Sequence, residues 1–505
     1  MGILFSSLRH RQHPIYCPPD KMGHLIIRNL TITPLELKEA ERLVNTVEIG
    51  GGTGTLSRVA TLIAGQGPTT APAAPTGTPA NVPPTTGLKQ ELKPGLVIQP
   101  FSENDTSILA PDTSASEQLR LTFQEPGTDH HYVAEFPGNT PQSVVMRNAT
   151  ADPTGKEFTV VYLPRASYLA IISSAHLNAW MAELPSPVPL SALSIPGTHN
   201  SPTYYLALPS VRCQAVSVRT QLDNGVRFLD IRVSCPDEAL NDDDLALVHS
   251  AFPISLSGSK WFHDLLAEVY AYLDANPSEA LLMSIKREGT GKGTDQLLSK
   301  YLARRYFAGD AARRWYTEPR IPSLGEVRGR IVLVRRFNLD DSLRSEHGGH
   351  GLGIDGSVWP DNCADGTCGS GQIRIQDFYE VGQTEEIDKK IELARAGLER
   401  AAQQASVKSE GATAQSGPPS FFINFLSASS FFNSSCWPDR IAAKINPSVI
   451  EYLCTGHGAP AKGPGQLTVG DAGTGIVVID WVGNNGDWDI VRCIIGWNAR
   501  LQLNA

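Results

Sequence analysis

Three stretches decide how this sequence is interpreted: Ile195-Pro-Gly-Thr-His-Asn-Ser201, Leu229-Asp-Ile-Arg232 and Leu247-Val-His-Ser250. Short apolar runs over 193–195, 226–229 and 245–248 lead into them. These runs predict buried strands, the first of which stops at Pro196-Gly197. Polar groups at the C-terminal ends of successive strands are typical of an α/β barrel that carries its site at that end.

The polar groups themselves indicate a reaction. One imidazole, that of His199, takes a proton from an attacking hydroxyl, and a second, that of His249, gives a proton to the leaving oxygen. The Arg232 guanidinium stabilises charge on phosphoryl oxygens. This set suits cleavage of a phosphodiester by an internal hydroxyl, a scheme that needs no metal.

The second half of the chain alternates strand patterns with helical ones. Apolar residues recur at helical spacing in 261–273 and 385–404, and Thr294 is placed to cap a helix. Strand and helix alternation over this length predicts a parallel barrel, a distorted TIM-type (β/α) barrel, over 179–505.

Residues 1–178 have a different character. Short apolar or alternating runs at 24–28, 131–136 and 158–162 predict strands with little helix, hence a small all-β, sandwich-like N-terminal domain. A Pro/Thr/Ala tract near 67–87 has few large apolar groups and is predicted to be a disordered insertion.

From about residue 180 onward the chain resembles the phosphatidylinositol-specific phospholipase C X-domain family, in its small bacterial, metal-independent branch. The likeness extends beyond the histidines to further stretches in the same order. They are Ala280-Leu-Leu-Met-Ser-Ile-Lys-Arg-Glu288, Arg328-Gly-Arg-Ile-Val-Leu-Val-Arg-Arg-Phe337, Ile375-Gln-Asp-Phe-Tyr379, Phe422-Ile-Asn-Phe-Leu-Ser427 and Ile476-Val-Val-Ile-Asp-Trp481.

The resemblance implies roles for these residues. Asp480 would orient His199 as general base toward the inositol 2-hydroxyl, and His249 would protonate the diacylglycerol oxygen. Arg232 would bind the phosphoryl group, with Asp230 on the same strand face holding its guanidinium. The products would be inositol 1,2-cyclic phosphate and diacylglycerol, from phosphatidylinositol or from glycosyl-phosphatidylinositol anchors.

The same resemblance implies substrate-binding roles for Lys286, Arg336, Asp377 and Tyr379. Taken singly, each has an ordinary structural interpretation as a strand-end ion pair, a turn residue or a core aromatic. Their order along the chain favours the functional interpretation.

Asn200 departs from the branch, whose members carry aspartate directly after the first histidine to support the acid histidine. An amide accepts a hydrogen bond but cannot stabilise an imidazolium by charge, so we expect a less basic His249 and slower turnover. Asparagine also occurs here in calcium-dependent relatives, but those carry a carboxylate in place of Arg232. We therefore expect neither a metal nor another cofactor.

Composition narrows the partners. The chain has 505 residues, is 41% apolar and carries a formal net charge of -9, which gives no support to nucleic-acid binding. The expected partners are an inositol headgroup and a phosphatidylinositol-containing membrane surface, met by aromatic residues after a predicted strand: Phe431, Phe432 and Trp437. Two alternatives stay open, a catalytically silent inositol-lipid-binding protein and a metal-dependent phosphodiesterase on a related barrel.

The N-terminal sequence bears on localisation. Met1-Gly-Ile-Leu-Phe-Ser6 is a poor secretory signal, which favours a cytoplasmic protein with reduced cysteines. It fits the pattern for an N-myristoyl group on Gly2, followed by Arg9 and Arg11. The sequence leaves open whether Gly2 carries this group and whether the protein associates with membranes through it.

Overall fold

The structure is a computed structural model. It describes residues 23–45, 85–90, 92, 95–111, 117–138, 142–150, 156–174, 176–237, 245–404, 420–460, 462–466 and 469–503. Gly2 and the basic residues behind it lie outside these ranges, as does most of the tract at 67–87. Residues 85–87 are an exception to the predicted disorder, because they belong to a strand that pairs with residues 43–45.

The first part of the chain forms two sheets. Its strands are β1 His24–Asn29, β2 Leu35–Asn45, β3 Thr85–Lys89, β4 Val97–Ile98, β5 Ser102–Leu109, β6 Gln118–Gln124, β7 His131–Pro137, β8 Gln142–Val145, β9 Arg147–Asn148, β10 Phe158–Leu163 and β11 Tyr168–Ser173. One sheet has the order β5-β1-β11-β10-β8, and the other has the order β3-β2-β6-β7-β9 with β4 beside β2. A shared apolar core lies between them, where the rings of Tyr132 and Phe158 meet edge to face at 4.8 Å.

The second part forms the barrel. Its strands are β12 Ile195–Thr198, β13 Phe228–Ser234, β14 Ala246–His249, β15 Phe252–Pro253, β16 Leu281–Arg287, β17 Trp315–Tyr316, β18 Ile331–Arg336, β19 Ile354–Asp355, β20 Cys363–Cys368, β21 Ile373–Asp377, β22 Phe421–Phe425 and β23 Ile476–Ile479. Its helices are α1 Val218–Asp223, α2 Phe262–Ala275, α3 Asp295–Tyr306, α4 Leu324–Val327, α5 Glu346–Gly349, α6 Glu386–Ala402, α7 Pro438–Thr455 and α8 Asp489–Gly496.

Parallel pairing runs around the barrel in chain order, through β12, β13, β16, β18 and β19, and through β21, β22 and β23. The last strand pairs with the first, since Ile195 faces Ile476 and Thr198 faces Ile479. Among the described residues no ladder joins β19 to β21. The predicted mixed α/β, TIM-type barrel is therefore confirmed, with β20 antiparallel along the outer edge of β21 and a break in the described pairing between β19 and β20.

Two of the predicted strands differ in detail. β12 contains Pro196 and Gly197 instead of ending before them. Its ladder with β13 begins only at Gly197, so the missing amide hydrogen of Pro196 leaves no gap there. Gly197 is needed because a Cβ at this position would lie 2.9 Å from the side chain of Phe228.

The other difference concerns His249. It ends β14, which is antiparallel to β13 and forms a hairpin with β15, so it is not carried by a parallel barrel strand. The helices behave as their apolar stripes predict. α2 and α6 bury one face against the strands, and the Thr294 hydroxyl caps α3 by accepting from the amide of Leu297. No helix in the described ranges is long and apolar enough to cross a bilayer.

Candidate active site

His199 directly follows β12, and Asp480 directly follows β23, the strand beside it. Nδ1 of His199 lies 3.0 Å from Oδ1 of Asp480, whose side chain is 2% exposed. The amide of Gln214 donates to the backbone oxygens of His199 and Ile479, at 2.7 Å and 2.9 Å, and so ties the two strand ends together. Nε2 of His199 is thereby left as the nitrogen that can accept a proton.

The charge balance around His199 favours its protonated form. Burial opposes that form, but the Asp480 carboxylate and the neighbouring Cys213 thiol outweigh burial and hold the pKa of His199 well above its ordinary value. His199 is consequently a stronger base than a free imidazole.

The ring of His249 lies across the site from that of His199, with centroids 5.8 Å apart and planes nearly perpendicular. Its Nδ1 lies 2.7 Å from the backbone oxygen of Val211 and 3.8 Å from Sγ of Cys213. Burial lowers the pKa of His249, and the Cys213 thiol raises it by more, so the net shift is upward. A raised pKa favours the protonated form of His249, which is the form that a general acid requires.

The side chain of Asn200 makes no hydrogen bond to His249. Its side chain is fully buried, and neither its Oδ1 nor its Nδ2 has a hydrogen-bond partner among the described residues. Its backbone amide donates to Oδ2 of Asp230 at 3.1 Å in a left-handed conformation with φ 44°. Nδ1 of His249 contacts the Val211 carbonyl instead, and the expected slower turnover stays a prediction.

Arg232 projects from β13 between two carboxylates. Its Nη2 lies 3.0 Å from Oδ2 of Asp230, and its Nη1 lies 2.8 Å from Oε1 of Glu288. Nζ of Lys286 also reaches Glu288, at 2.7 Å. Burial would raise the pKa of Glu288, but Arg232 and Lys286 bring it down to about 2. Both carboxylates are therefore charged, and they hold the guanidinium in one orientation.

Arg336 ends β18 and is almost fully buried. It stacks on the ring of Trp359, with its guanidinium carbon 3.7 Å from the ring centroid, and its Nη1 lies 3.6 Å from Oδ1 of Asp230. Burial lowers the pKa of Arg336, since the nearby carboxylates compensate only in part. Its Nε and Nη1 have no hydrogen-bond acceptor among the described residues, which leaves donors available for a ligand.

Asp377 and Tyr379 lie at the end of β21. Oδ2 of Asp377 accepts from Nε1 of Trp359 at 2.9 Å, a side-chain bond between the loop after β19 and the end of β21. Tyr379 is at the rim, 37% exposed, and donates to Oδ1 of Asp361 at 2.8 Å. The structure thus places Tyr379 at the mouth and Asp377 deeper in the barrel.

Strained backbone follows three residues of the site: the two histidines that would transfer protons, and Asp480, which orients His199. Asn200, Ser250 and Trp481, which directly follow His199, His249 and Asp480, all have φ between 44° and 56°. Non-glycine residues adopt this left-handed region at a cost of about 1 kcal/mol or more each. Such strain turns the chain sharply after each strand and is common at functional sites.

Three residues around the site were not predicted: Glu288, Trp359 and Cys213. Glu288 follows Lys286 by two residues, so the alternation of a strand could have indicated it. Trp359 and Cys213 come from loops, for which the sequence carries no periodic signal.

The side chains of three residues could together hold a metal ion. One ligand atom each from His199, Cys213 and His249 lies within 4.8 Å of the other two.

Part of the chain is similar to a known protein family. Residues 187–337 match the family model "Phosphatidylinositol-specific phospholipase C, X domain". This part of the chain is therefore similar to the X domain of that family.

Particular relatives span different lengths. A Staphylococcus aureus protein named 1-phosphatidylinositol phosphodiesterase is 27% identical over 334 residues, which cover 63% of this chain and 93% of the relative. A Listeria monocytogenes protein of the same name is 32% identical over 176 residues, 32% of this chain and 50% of the relative. Human PI-PLC X domain-containing protein 1 is 28% identical over 192 residues, 32% of this chain and 55% of the relative.

Solved structures of the bacterial enzymes are also similar. The Listeria monocytogenes phosphatidylinositol-specific phospholipase C is 22% identical, with a TM-score of 0.43, over 64% of this chain and 99% of that one. A Staphylococcus aureus structure from work on the membrane binding of its phosphatidylinositol-specific phospholipase C is 24% identical, with a TM-score of 0.48. The match covers 64% of this chain and 97% of that one.

Proposed function

We propose that the chain is a phosphatidylinositol-specific phospholipase C that cleaves its substrate by intramolecular attack, without a metal. The observation that carries the proposal is the pair of facing histidines, one bonded to Asp480 and the other to a backbone carbonyl, with Arg232 held between carboxylates. The names of the curated relatives support the substrate class.

Each step assigns one bond change to one residue. Nε2 of His199 takes the proton of the inositol 2-hydroxyl, and that oxygen forms a bond to phosphorus. Arg232 stabilises the charge on the phosphoryl oxygens as the bond to the diacylglycerol oxygen breaks. His249 gives its proton to that oxygen, so diacylglycerol and inositol 1,2-cyclic phosphate leave. Lys286, Arg336, Asp377 and Tyr379 would bind the inositol hydroxyls and the phosphate.

The rim of the barrel supports an interface with lipid. Phe432 is 95% exposed, and its neighbour Phe431 stacks on Phe252 at 5.3 Å. Leu206 and Leu256 are exposed beside each other, joined by a backbone hydrogen bond of 2.9 Å. Trp437, expected with the two phenylalanines, is instead half-buried at the start of α7. These loops follow β12, β15 and β22, at the same end as the site, so an apolar surface there suits a membrane partner.

A cytoplasmic location with an N-myristoyl group on Gly2 belongs to the same proposal. One acyl chain binds membranes only marginally, so the exposed rim would supply the second contact. An intact mass that lacks the acyl increment, on protein from its own host, would remove this part of the proposal.

Intramolecular attack is tested with phosphatidylinositol whose 2-hydroxyl is methylated. The proposal predicts no cleavage of this lipid and competitive inhibition of the cleavage of the unmodified lipid. Cleavage of the methylated lipid at a comparable rate would mean that water is the nucleophile. A glycosyl-phosphatidylinositol substrate measured in parallel distinguishes between the two lipid classes.

A further inference from the structure

Cys213 is a buried thiol in the centre of the site, and no step of the proposed reaction transfers a proton or a bond to it. It follows the loop after β12, and its Sγ lies 3.8 Å from Nδ1 of His249. One ring nitrogen of each histidine and this sulfur lie within 4.8 Å of one another. His199 and Cys213 come from the connection between β12 and α1, and His249 comes from the end of β14.

One thiolate and two imidazoles form a ligand set that soft and borderline divalent cations prefer. A zinc site with three protein ligands of this kind keeps a fourth position for water. Ligand atoms around such an ion lie about 3.5 Å apart, so the three side chains would need to close by about 1 Å.

The neighbours of both histidines fit this use. Metal-binding histidines commonly donate their other ring nitrogen to a carboxylate or to a backbone carbonyl. Nδ1 of His199 is bonded to Asp480 in this way, and Nδ1 of His249 is bonded to the carbonyl of Val211. Nε2 of each ring then carries the lone pair, so the 3.8 Å contact between Sγ and Nδ1 of His249 is not itself a pair of ligand atoms.

The local charges also permit a cation. The positive charge of Arg232 is balanced by Asp230 and Glu288. Burial raises the pKa of the Cys213 thiol, but His249 and His199 outweigh burial and bring it down to about 7.

We propose that His199, Cys213 and His249 together bind one Zn²⁺ ion. Binding forms two Zn–N bonds and one Zn–S bond and releases the thiol proton, with any imidazolium proton, to solvent. Because the ion occupies Nε2 of both rings, His199 cannot take a proton and His249 cannot give one, so its presence inhibits turnover. Only this inhibition rests on the proposed function.

Cobalt(II) is the probe, because four-coordinate Co²⁺ with a thiolate ligand absorbs in the visible and has a sulfur-to-metal band in the near ultraviolet. The full chain is titrated with Co²⁺ and then with Zn²⁺, next to Cys213→Ser, His249→Gln and the control Cys235→Ser. Cys235 is a second buried cysteine, whose Sγ donates to the backbone oxygen of Pro236 at 3.6 Å and which packs in an apolar cluster away from the two histidines.

The proposal predicts both bands in the wild type and in Cys235→Ser, and their displacement by stoichiometric Zn²⁺. Cys213→Ser should lose the near-ultraviolet band. His249→Gln should keep that band but bind Co²⁺ at least tenfold more weakly. This variant keeps the test decisive if Cys213→Ser fails to fold. Absence of the bands in the folded wild type, or their persistence in folded Cys213→Ser, would overturn the proposal. Turnover of phosphatidylinositol is measured in a separate assay. A lack of turnover would leave the metal-binding result intact.

Discussion

Nδ1 of His199 lies 3.0 Å from a carboxylate oxygen of Asp480, a residue 281 positions later in the chain. The two meet because the first and last barrel strands are paired, Thr198 beside Ile479. This pair is the part of the site that raises the basicity of His199.

The first prediction concerns the pH dependence set by this pair. Asp480 raises the pKa of His199, so Asp480→Asn should lower it. The acid limb of the kcat/KM profile, where the base becomes protonated, should move to lower pH, and the maximum rate should fall by a factor of about 100. Kinetics between pH 4 and 9 measure both effects. An unmoved acid limb would show that another group titrates there.

The second prediction separates the acid from the base. His249→Ala should slow cleavage of phosphatidylinositol about 100-fold to 10,000-fold, because diacylglycerol leaves poorly without a proton. A substrate with a nitrophenol leaving group needs no such proton, so most of this loss should be recovered. His199→Ala is the control and should stay inactive on both substrates. Equal losses on both substrates in His249→Ala would contradict the assigned role.

The third prediction concerns the stability contributed by Glu288. Its pKa falls to about 2, so it stabilises the folded state above its ordinary pKa and loses this effect as the pH falls toward 2. Glu288→Gln should lower the free energy of unfolding at pH 7 by about 2–3 kcal/mol, with a narrowing difference below pH 4. Denaturant unfolding at several pH values checks this, with exposed Glu392→Gln as the control. A difference independent of pH would mean that lost packing, not charge, is responsible.

The fourth prediction tests the exposed rim. Phe432→Ser should weaken binding to phosphatidylinositol vesicles about tenfold or more, since a buried phenylalanine side chain is worth about 1.5–3 kcal/mol. Cleavage of a soluble inositol phosphodiester with a nitrophenol leaving group should stay unchanged. Val145→Ser removes an exposed apolar side chain from the N-terminal sheets and should leave vesicle binding intact. Equal effects of both substitutions in a sedimentation assay would mean that the rim has no special role.

The sequence was sufficient for those parts of the site that follow directly from strands. His199, Arg232 and Asp480 lie in or directly after parallel strands, and the barrel fixes where such positions point. The hairpin that carries His249 was not predictable, because four apolar residues fit a parallel or an antiparallel strand equally well. The isolation of Asn200 and the approach of Cys213 depend on left-handed turns and loop paths, which short-range patterns do not encode.

The central claim is a cyclisation carried out by two histidines without a metal. Phosphorus NMR of the purified chain with phosphatidylinositol micelles in excess chelator, beside His199→Ala, tests it most directly. The account predicts an inositol 1,2-cyclic phosphate signal that persists under chelation and is absent in the variant. Turnover that stops with chelator and returns with calcium would contradict it, and so would a folded wild type that binds the lipid but gives no product.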